Sequence, residues 1–427
     1  AACSSDGSED GAASLAIPVP IEGGDEDASG GVVDDAPENQ NDGDTTEPES
    51  EENEALEPVP PADVYNQPEV WSEPIADYLE VGKNKLGSLD FNTKIQDLEV
   101  YQDRMYMAYG DADNNIGGSF PLGTRYFESE QEPLTDTDFE HAEEQLERYR
   151  LLEDRLFIAG IDGVINDNIG NVYQRGPDSD WTTSHTLSGG VHVHDVASFE
   201  GEIWAVGSGS LAEEWALGDI YAHAWRSSDG GQNFEVAERI HNDRTGDARM
   251  VRLLPVGDTL WMFGYHSNEM FQIDDLIQVR FSRDTLTPLA SWHPLRWAFA
   301  LETDVLPDGR GMLRAVDVSR DDLEHGVWLI AEDGGVSRLT DFDTQAVLDV
   351  DVSDGKVTML VRDGAGYGSL TPELPWQMRV LVSDDMERFE EQLSFETEVE
   401  LISLAAWRGQ LFIGDAEGKV WRSTPSP

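Results

Sequence analysis

The stretch GDADNNIGG, Gly110 to Gly118, sets Asp111, Asp113 and Asn115 at alternate positions. Oxygen side chains alternating along a turning backbone suit a calcium ion, which takes six to eight hard oxygen ligands. A second stretch, GIDGVINDNIGN from Gly160 to Asn171, repeats the composition and offers Asp162, Asp167 and Asn168. Neither stretch is an EF-hand, because the glycine is displaced to Gly117 and no closing glutamate sits at its usual offset. The competing reading is Asp, Asn and Gly in their ordinary turn chemistry. A further set lies in GGVHVHD, Gly189 to Asp195. On a strand His192 and His194 face the same way, with Asp195 opposed and His185 just upstream. Two imidazoles and a third can hold zinc, although nine histidines in 427 residues make pairs by chance and a channel-lining histidine needs no metal.

Residues of this kind need a frame, and the chain supplies one by repetition. QDLEVYQDRMYMAYG (Gln96–Gly110) and HDVASFEGEIWAVG (His194–Gly207) share an alternating strand, a tight polar turn and a second strand rich in aromatic and β-branched residues. The unit recurs as RYRLLEDRLFIAG (Arg148–Gly160), RLLPVGDTLWMFG (Arg252–Gly264), DVDVSDGKVTMLV (Asp349–Val361) and SLAAWRGQLFIGD (Ser403–Asp415), and more weakly as DVLPDGRGMLRAV (Asp304–Val316). The turns near Asp103, Asp154, Gly201, Asp258, Gly309, Gly355 and Gly409 recur roughly every 50 residues, a propeller-blade period. Further short strands follow each unit, punctuated by Gly, Asp and Asn, so the architecture expected is all-β: a seven-bladed β-propeller of four-stranded antiparallel blades over residues 63–427. Helical periodicity is confined to DFEHAEEQLERY, Asp138 to Tyr149. The last unit stops short of a fourth strand, and the segment around DYLEVG, Asp77 to Gly82, is expected to supply it and leave no open sheet edge.

Between YAHAW and the next unit lies RSSDGGQNFE, Arg226 to Glu235. Its core, Ser227, Asp229, Gly231 and Phe234, resembles the Asp-box, or BNR repeat, of sialidase-like propellers. That resemblance implies a structural turn between third and fourth strands: Asp229 accepts turn amides and Phe234 tucks beneath. VSDDMERF (Val382–Phe389) keeps Asp384 and Phe389 without the glycines, and QRGPDSDW (Gln174–Trp181) keeps only the turn and Trp181. Sialidase-like catalysis would also need an arginine triad, a tyrosine nucleophile with a helping glutamate, and an Arg-Ile-Pro stretch. The chain has no Arg-Ile-Pro, and no triad aligns. The resemblance therefore implies a fold, not an activity.

In equivalent positions the innermost strands carry Asp97, Arg148, Asp195, Arg252 and Asp349, with Glu99, Arg150 and Asp351 nearby. Such charges either pair across blades in a wet channel or form a polar ligand mouth. Trp215, Tyr265, Tyr367 and Trp376 stand in long loops, where they either stack on a partner or pack as lids.

Composition bounds the partners. The chain carries 86 Asp and Glu against 28 Lys and Arg, a formal charge of −58. Such a surface repels phosphate backbones and argues against nucleic acid. Lysine is scarce, confined to Lys83, Lys85, Lys94, Lys356 and Lys419; acid excess with little lysine suits salty water or divalent cations, and equally a GC-rich genome with ordinary solubility needs. Of the acidic residues 18 lie within residues 1–60, where no Lys or Arg occurs, so residues 1–62 are expected to be a disordered tether. The single cysteine, Cys3 in AACSSDG, excludes an intramolecular disulfide and resembles the end of a bacterial lipobox. That resemblance implies lipid attachment at Cys3 and a location at the outer membrane or cell surface, the alternative being an extracellular protein. The expected protein is a monomeric, non-enzymatic propeller that meets membrane only through its lipid and binds a protein or carbohydrate on its strand 2–3 loop face. The alternative is a sialidase-like glycoside hydrolase or lyase acting on extracellular glycans.

Overall fold

The computed structural model describes residues 64–86, 92–111, 122–129, 133–163, 169–210, 219–240, 246–268, 273–318, 324–364 and 374–426. Their strands follow directly from the sequence pattern. RMYMA, EIWAVGSGS and TLWMFGYHS are almost continuously apolar or small, and nearly every residue in them is buried. Such runs are central strands covered on both faces by neighbouring sheets. In DLEVY, the strand before RMYMA, polar residues alternate with apolar ones, and the apolar Leu98 and Tyr101 are buried.

In chain order the strands are β1 (Glu69–Ser72), β2 (Asp97–Tyr101), β3 (Arg104–Ala108), β4 (Leu122–Phe127), β5 (Pro133–His141), β6 (Glu143–Leu152), β7 (Arg155–Gly163), β8 (Ile169–Arg175) and β9 (Thr182–Ser188). There follow β10 (Gly190–Phe199), β11 (Glu202–Ser210), β12 (Asp219–Ser227), β13 (Glu235–Ile240), β14 (Gly246–Val256), β15 (Thr259–Ser267), β16 (Ile273–Ser282) and β17 (Thr285–Pro288). The remainder are β18 (Ala298–Val305), β19 (Gly311–Asp317), β20 (Glu324–Ile330), β21 (Val336–Arg338), β22 (Gln345–Ser353), β23 (Lys356–Asp363), β24 (Trp376–Ser383), β25 (Glu390–Thr397), β26 (Leu401–Trp407), β27 (Gln410–Asp415) and β28 (Val420–Ser423).

Four sheets have four strands each: β2–β5, β18–β21, β22–β25, and β26–β28 completed by β1. A twelve-stranded sheet holds the quartets β6–β9, β10–β13 and β14–β17. The separate blades expected over this stretch are thus joined. His192 pairs Ile161, and Asp219 and Ile220 pair Gly246 and Asp247 in parallel, which carries the ladder across both gaps. The sheets form a β-propeller-like ring with its core between faces. Phe199 and Trp204 pack on Met250 and Leu253, Leu306 and Met312 on Val350 and Met359, and Trp407 and Phe412 meet Met105 and Tyr106. Each such large apolar side chain contributes ~1.5–3 kcal/mol when buried.

The inner hairpins turn on two residues in left-handed conformation: Gln102–Asp103, Glu153–Asp154, Glu200–Gly201, Asp354–Gly355 and Arg408–Gly409. This is the turn whose twist matches that of the flanking strands.

Two expectations are corrected. Residues 138–149 are not helical; they divide between β5 and β6 around Ala142, since pairing with β4 and β7 outweighs the helix propensity of their Glu and Gln. The segment Asp77–Gly82 is not the closing strand either, but lies in helix α1 (Ala76–Leu86) with Asp77 in its first turn. The closing strand is β1 just upstream, with Glu69 opposite Arg422 and Val70 opposite Trp421. Among the described residues no helix is long and apolar enough to cross a membrane.

Candidate functional site

The inner strands β2, β6, β10, β14, β18 and β22 bring their charged residues to the axis. Arg148 on β6 reaches across to β18, with contacts of 2.9 Å to both Glu302 and Asp304. Arg150 makes two 2.8 Å bonds to Asp195 on β10 and donates to the Thr303 carbonyl on β18 at 2.6 Å. Arg252 on β14 meets Glu147 at 2.6 Å and the Leu301 carbonyl at 2.7 Å, and Arg314 holds Glu302 from β19 at 2.8 Å. The arginines are thus committed to carboxylates and carbonyls of other strands, several across the ring. Such charge-assisted forks are the strong class of hydrogen bond.

The aspartates clasp neighbours as well. Asp97 accepts the Tyr149 amide at 2.7 Å, Asp195 the Leu253 amide at 2.9 Å, Asp349 the Leu404 amide at 2.6 Å and Asp351 the Ala406 amide at 2.8 Å. In each case an inner-strand carboxylate takes a backbone amide of the next inner strand. Bulges fall beside Asp195, Arg252, Glu302 and Asp349.

Acids nevertheless outnumber bases here. Burial pushes Asp97 up to about 6 and Asp351 up to about 6, and Glu99 and Asp349 well above the carboxylate range, with neighbouring carboxylates adding to it. Burial also disfavours the Asp195 and Glu147 anions, but Arg150 holds the first, and Arg252 the second, below the usual range.

Two cavities of about 260 Å³ each open from this layer. The upper one, where the inner strands begin, is lined by Glu147, Arg252, Glu302, Arg314, His325 and Asp349 among others. The lower one, where they end, adds Glu99, Leu151, Val305 and Asp351 to Asp97 and the two β6 arginines.

The turn after β12 is built on Ser227 and Asp229. Ser227 Oγ donates to Asp229 at 2.7 Å and accepts the Gly231 amide at 2.9 Å; Asp229 accepts the Gln232 and Asn233 amides at 3.0 and 2.9 Å. The Asn233 side chain and amide, with the Ser227 hydroxyl, hold Asp229 down to about 2. Gly231 has φ +86°, and a Cβ there would lie 2.8 Å from the Phe157 ring. The turn also fastens two quartets: Ser184 Oγ donates to the Gln232 carbonyl at 2.8 Å, the Phe234 amide donates to Thr186 at 2.8 Å, and Phe234 packs among Phe157, Val172 and Trp225.

After β24 the same turn recurs with its acid one residue later than expected. Asp385, not Asp384, accepts the Glu387 and Arg388 amides at 2.8 and 3.0 Å, and Ser383 takes the Met386 amide at 2.8 Å. The spacing Ser-x-Asp decides this, since Ser383 and Asp385 reproduce the interval of Ser227 and Asp229. Met386 occupies the left-handed position at φ +60°, and Phe389 packs edge-on against Phe342 at 5.0 Å.

The other candidates are placed as follows. The His192 and His194 rings lie 5.9 Å apart on one side of β10, but His192 bonds Ser208 at 3.1 Å and His194 faces Glu147 at 3.9 Å. Burial lowers His194 to about 4, so it is neutral. His185 turns outward to Asn171 and Asp195 to Arg150. Among the described residues no three His, Cys, Asp or Glu side chains converge to hold a metal. Asp111 is buried and accepts the Asn92 amide at 2.7 Å. Asp113, Asn115, Asp167, Asn168, Trp215, Tyr367 and Cys3 lie outside the described residues, as does the side chain of Asp162. Tyr265 and Trp376 stand not in loops but on β15 and at the start of β24, where Tyr265 packs on Phe299 at 5.6 Å and Trp376 lies beneath Arg362. A tyrosine–glutamate pair exists in Tyr173 and Glu143, bonded at 2.9 Å, but both are buried and Tyr173 also accepts the Ala142 amide.

Sequence reasoning missed Glu147, Glu302, Thr303 and Asp304. The signal was present: ALETDV places charge at alternate positions, as the other inner strands do.

No family model matches the chain, and no curated protein matches it in sequence. Among solved structures it is similar to virginiamycin B lyase from Staphylococcus aureus, at 10% identity and TM-score 0.46, over 78% of this chain and 96% of that one. It is similar also to the polysaccharide lyase Uly1, at 7% identity and TM-score 0.44 over 79% and 91%. A third is the Penicillium chrysogenum α-L-arabinanase complexed with arabinobiose, at 10% identity and TM-score 0.39 over 78% and 97%.

Proposed function

We propose that this protein is a non-enzymatic seven-bladed β-propeller, presented at the outer membrane or cell surface or released outside, that binds a protein or carbohydrate partner on its strand 2–3 loop face. Seven blades result when β6–β9, β10–β13 and β14–β17 count as three beside the four separate sheets. In this reading the turns at Ser227 and Ser383 are Asp-boxes, residues 1–62 are the acidic tether, and lipid on Cys3 is the only membrane contact. Calcium held by Asp111, Asp113 and Asn115 with Asp162, Asp167 and Asn168 would order the binding face.

The observation that carries the reading is the commitment of Arg148, Arg150 and Arg252 to carboxylates on other strands. Charges spent on holding sheets together are not free to stabilise a transition state. In this reading the binding face is made by the stretches that join second to third strands.

One observation favours an enzyme. Glu302 and Asp349 share a hydrogen bond in the upper cavity, the first held low by Arg148 and Arg314 against burial, the second pushed up by burial. Carboxyls with diverging proton affinities resemble an acid–base pair. Glycoside hydrolysis keeps its two carboxyls about 5 Å or more apart, however, and these touch.

The test joins a glycan array and a panel of envelope proteins with a turnover assay on every glycan that binds. Photo-crosslinking residues are placed at Trp215 and, as the opposite-face control, at Asp154. The reading expects saturable binding without turnover and crosslinks from Trp215 only. Glycan cleavage lost in Asp349→Asn, or crosslinks from Asp154 instead, would overturn it.

A further inference from the structure

The lower cavity has a composition the ring clasp does not explain. Its wall carries the acids Asp97, Glu99, Asp304 and Asp351, against Arg148 and Arg150. Both arginines are already bonded, to Glu302 and Asp304 and to Asp195 and Asp304. Asp97 holds the Tyr149 amide, and Asp351 holds the Ala406 amide with the Ser353 hydroxyl. Glu99 makes no hydrogen bond or ion pair with another described residue, and the like-charged Asp97 and Asp351 act on it against its anion, with Arg148 opposing them. Burial and these neighbours favour its protonated form, and a cation seated beside it would stabilise the anion in its place.

The rim is of opposite character. Leu151 is 51% exposed and Val305 45%, with Val352 beside them, at the ends of inner strands that are otherwise well covered. An acidic floor under an apolar collar matches a cation that carries a hydrocarbon stem. A bare metal ion fits less well: it needs converging oxygen ligands, and among the described residues no three such side chains converge. The acids are dispersed over β2, β18 and β22, which suits the three diverging donors of an ammonium better than the planar fork of a guanidinium.

We propose that the lower mouth of the ring is a binding site for an alkylammonium ion, its charged end seated on Glu99 and Asp351 and its chain against Leu151 and Val305. The site lies on the side of the ring opposite the strand 2–3 loops and goes beyond the partner binding proposed there. A free aliphatic amine and the side chain of an accessible lysine present the same chemistry.

The experiment is calorimetric titration of the full chain with pentylamine and 1,5-diaminopentane, with pentanol, ammonium chloride and calcium chloride in parallel. An Ala-Lys-Ala peptide with blocked ends separates a lysyl source from a free amine. Saturable binding of pentylamine is expected, at least ~10-fold tighter than ammonium and absent for pentanol, with ~10-fold loss in Glu99→Gln. Leu151→Ser, at an exposed rim position, should weaken pentylamine several-fold while leaving ammonium unchanged, and so reads the stem without disturbing the channel. Thermal melts of both variants establish that they are folded. No saturation by any amine, equal binding of pentylamine and ammonium, indifference to both substitutions, or calcium displacing the amine from this mouth would each overturn the assignment.

Discussion

At Asp229 one exposed carboxylate organises a whole turn by accepting two backbone amides and a side-chain amide. Asp229→Ala should lower the melting temperature by about 2–4 °C, the scale of a lost local hydrogen-bond set in a large domain. Asp385→Ala should lower it too, whereas Asp384→Ala should leave it unchanged; a melt showing the reverse would restore the assignment to Asp384. A pH effect belongs to Asp97. Its folded value is raised to about 6, so its contribution to stability is fully present below its ordinary value near 3.8 and is lost as pH rises through 6. Asp97→Asn, which keeps an acceptor for the Tyr149 amide, should therefore stabilise the protein by ~1–3 kcal/mol in urea melts above pH 7, and by nothing measurable below pH 4. At this scale the sequence was informative where spacing alone decides, as in Ser227 and Asp229. It was uninformative where three dimensions decide: no spacing reveals that Arg148 meets Asp304, 156 residues on.

At the level of elements, the inner and central strands were legible because burial on one face or both writes itself into alternating or continuous apolar runs. The segment Asp138–Tyr149 was not, since Glu and Gln favour helix locally and only the waiting edges of β4 and β7 make it strand. The ring closure was legible in kind but misplaced. EVWS carries a weak strand signal, while DYLEVG alternates and yet forms α1, where Asp77 anchors Arg125 at 2.7 Å. Deleting residues 64–72 exposes the edge of β28 and should cause a large drop in melting temperature with a tendency to aggregate. Asp77→Asn should cost far less, because Arg125 keeps the Pro74 carbonyl at 2.6 Å and the Tyr109 hydroxyl at 2.9 Å. Differential scanning of both variants checks this order, and an unaffected deletion would remove β1 from the closure.

For the molecule as a whole, the axis is a layer of charge bound crosswise between sheets, and the account rests on that layer being a fastening and not a reaction centre. Cutting one fork while leaving its carboxylates buried should cost about 3–5 kcal/mol, since the remaining anions lose their counter-charge. Neutralising those anions as well should recover most of the loss. The most direct test is therefore urea unfolding at pH 7 of Arg148→Met and of the same variant with Glu302→Gln and Asp304→Asn. The single variant should be less stable by about 3 kcal/mol or more and the triple variant close to the parent, with partner binding at the strand 2–3 face intact in the triple variant. A single variant as stable as the parent that has lost turnover of a glycan would contradict the account at its centre.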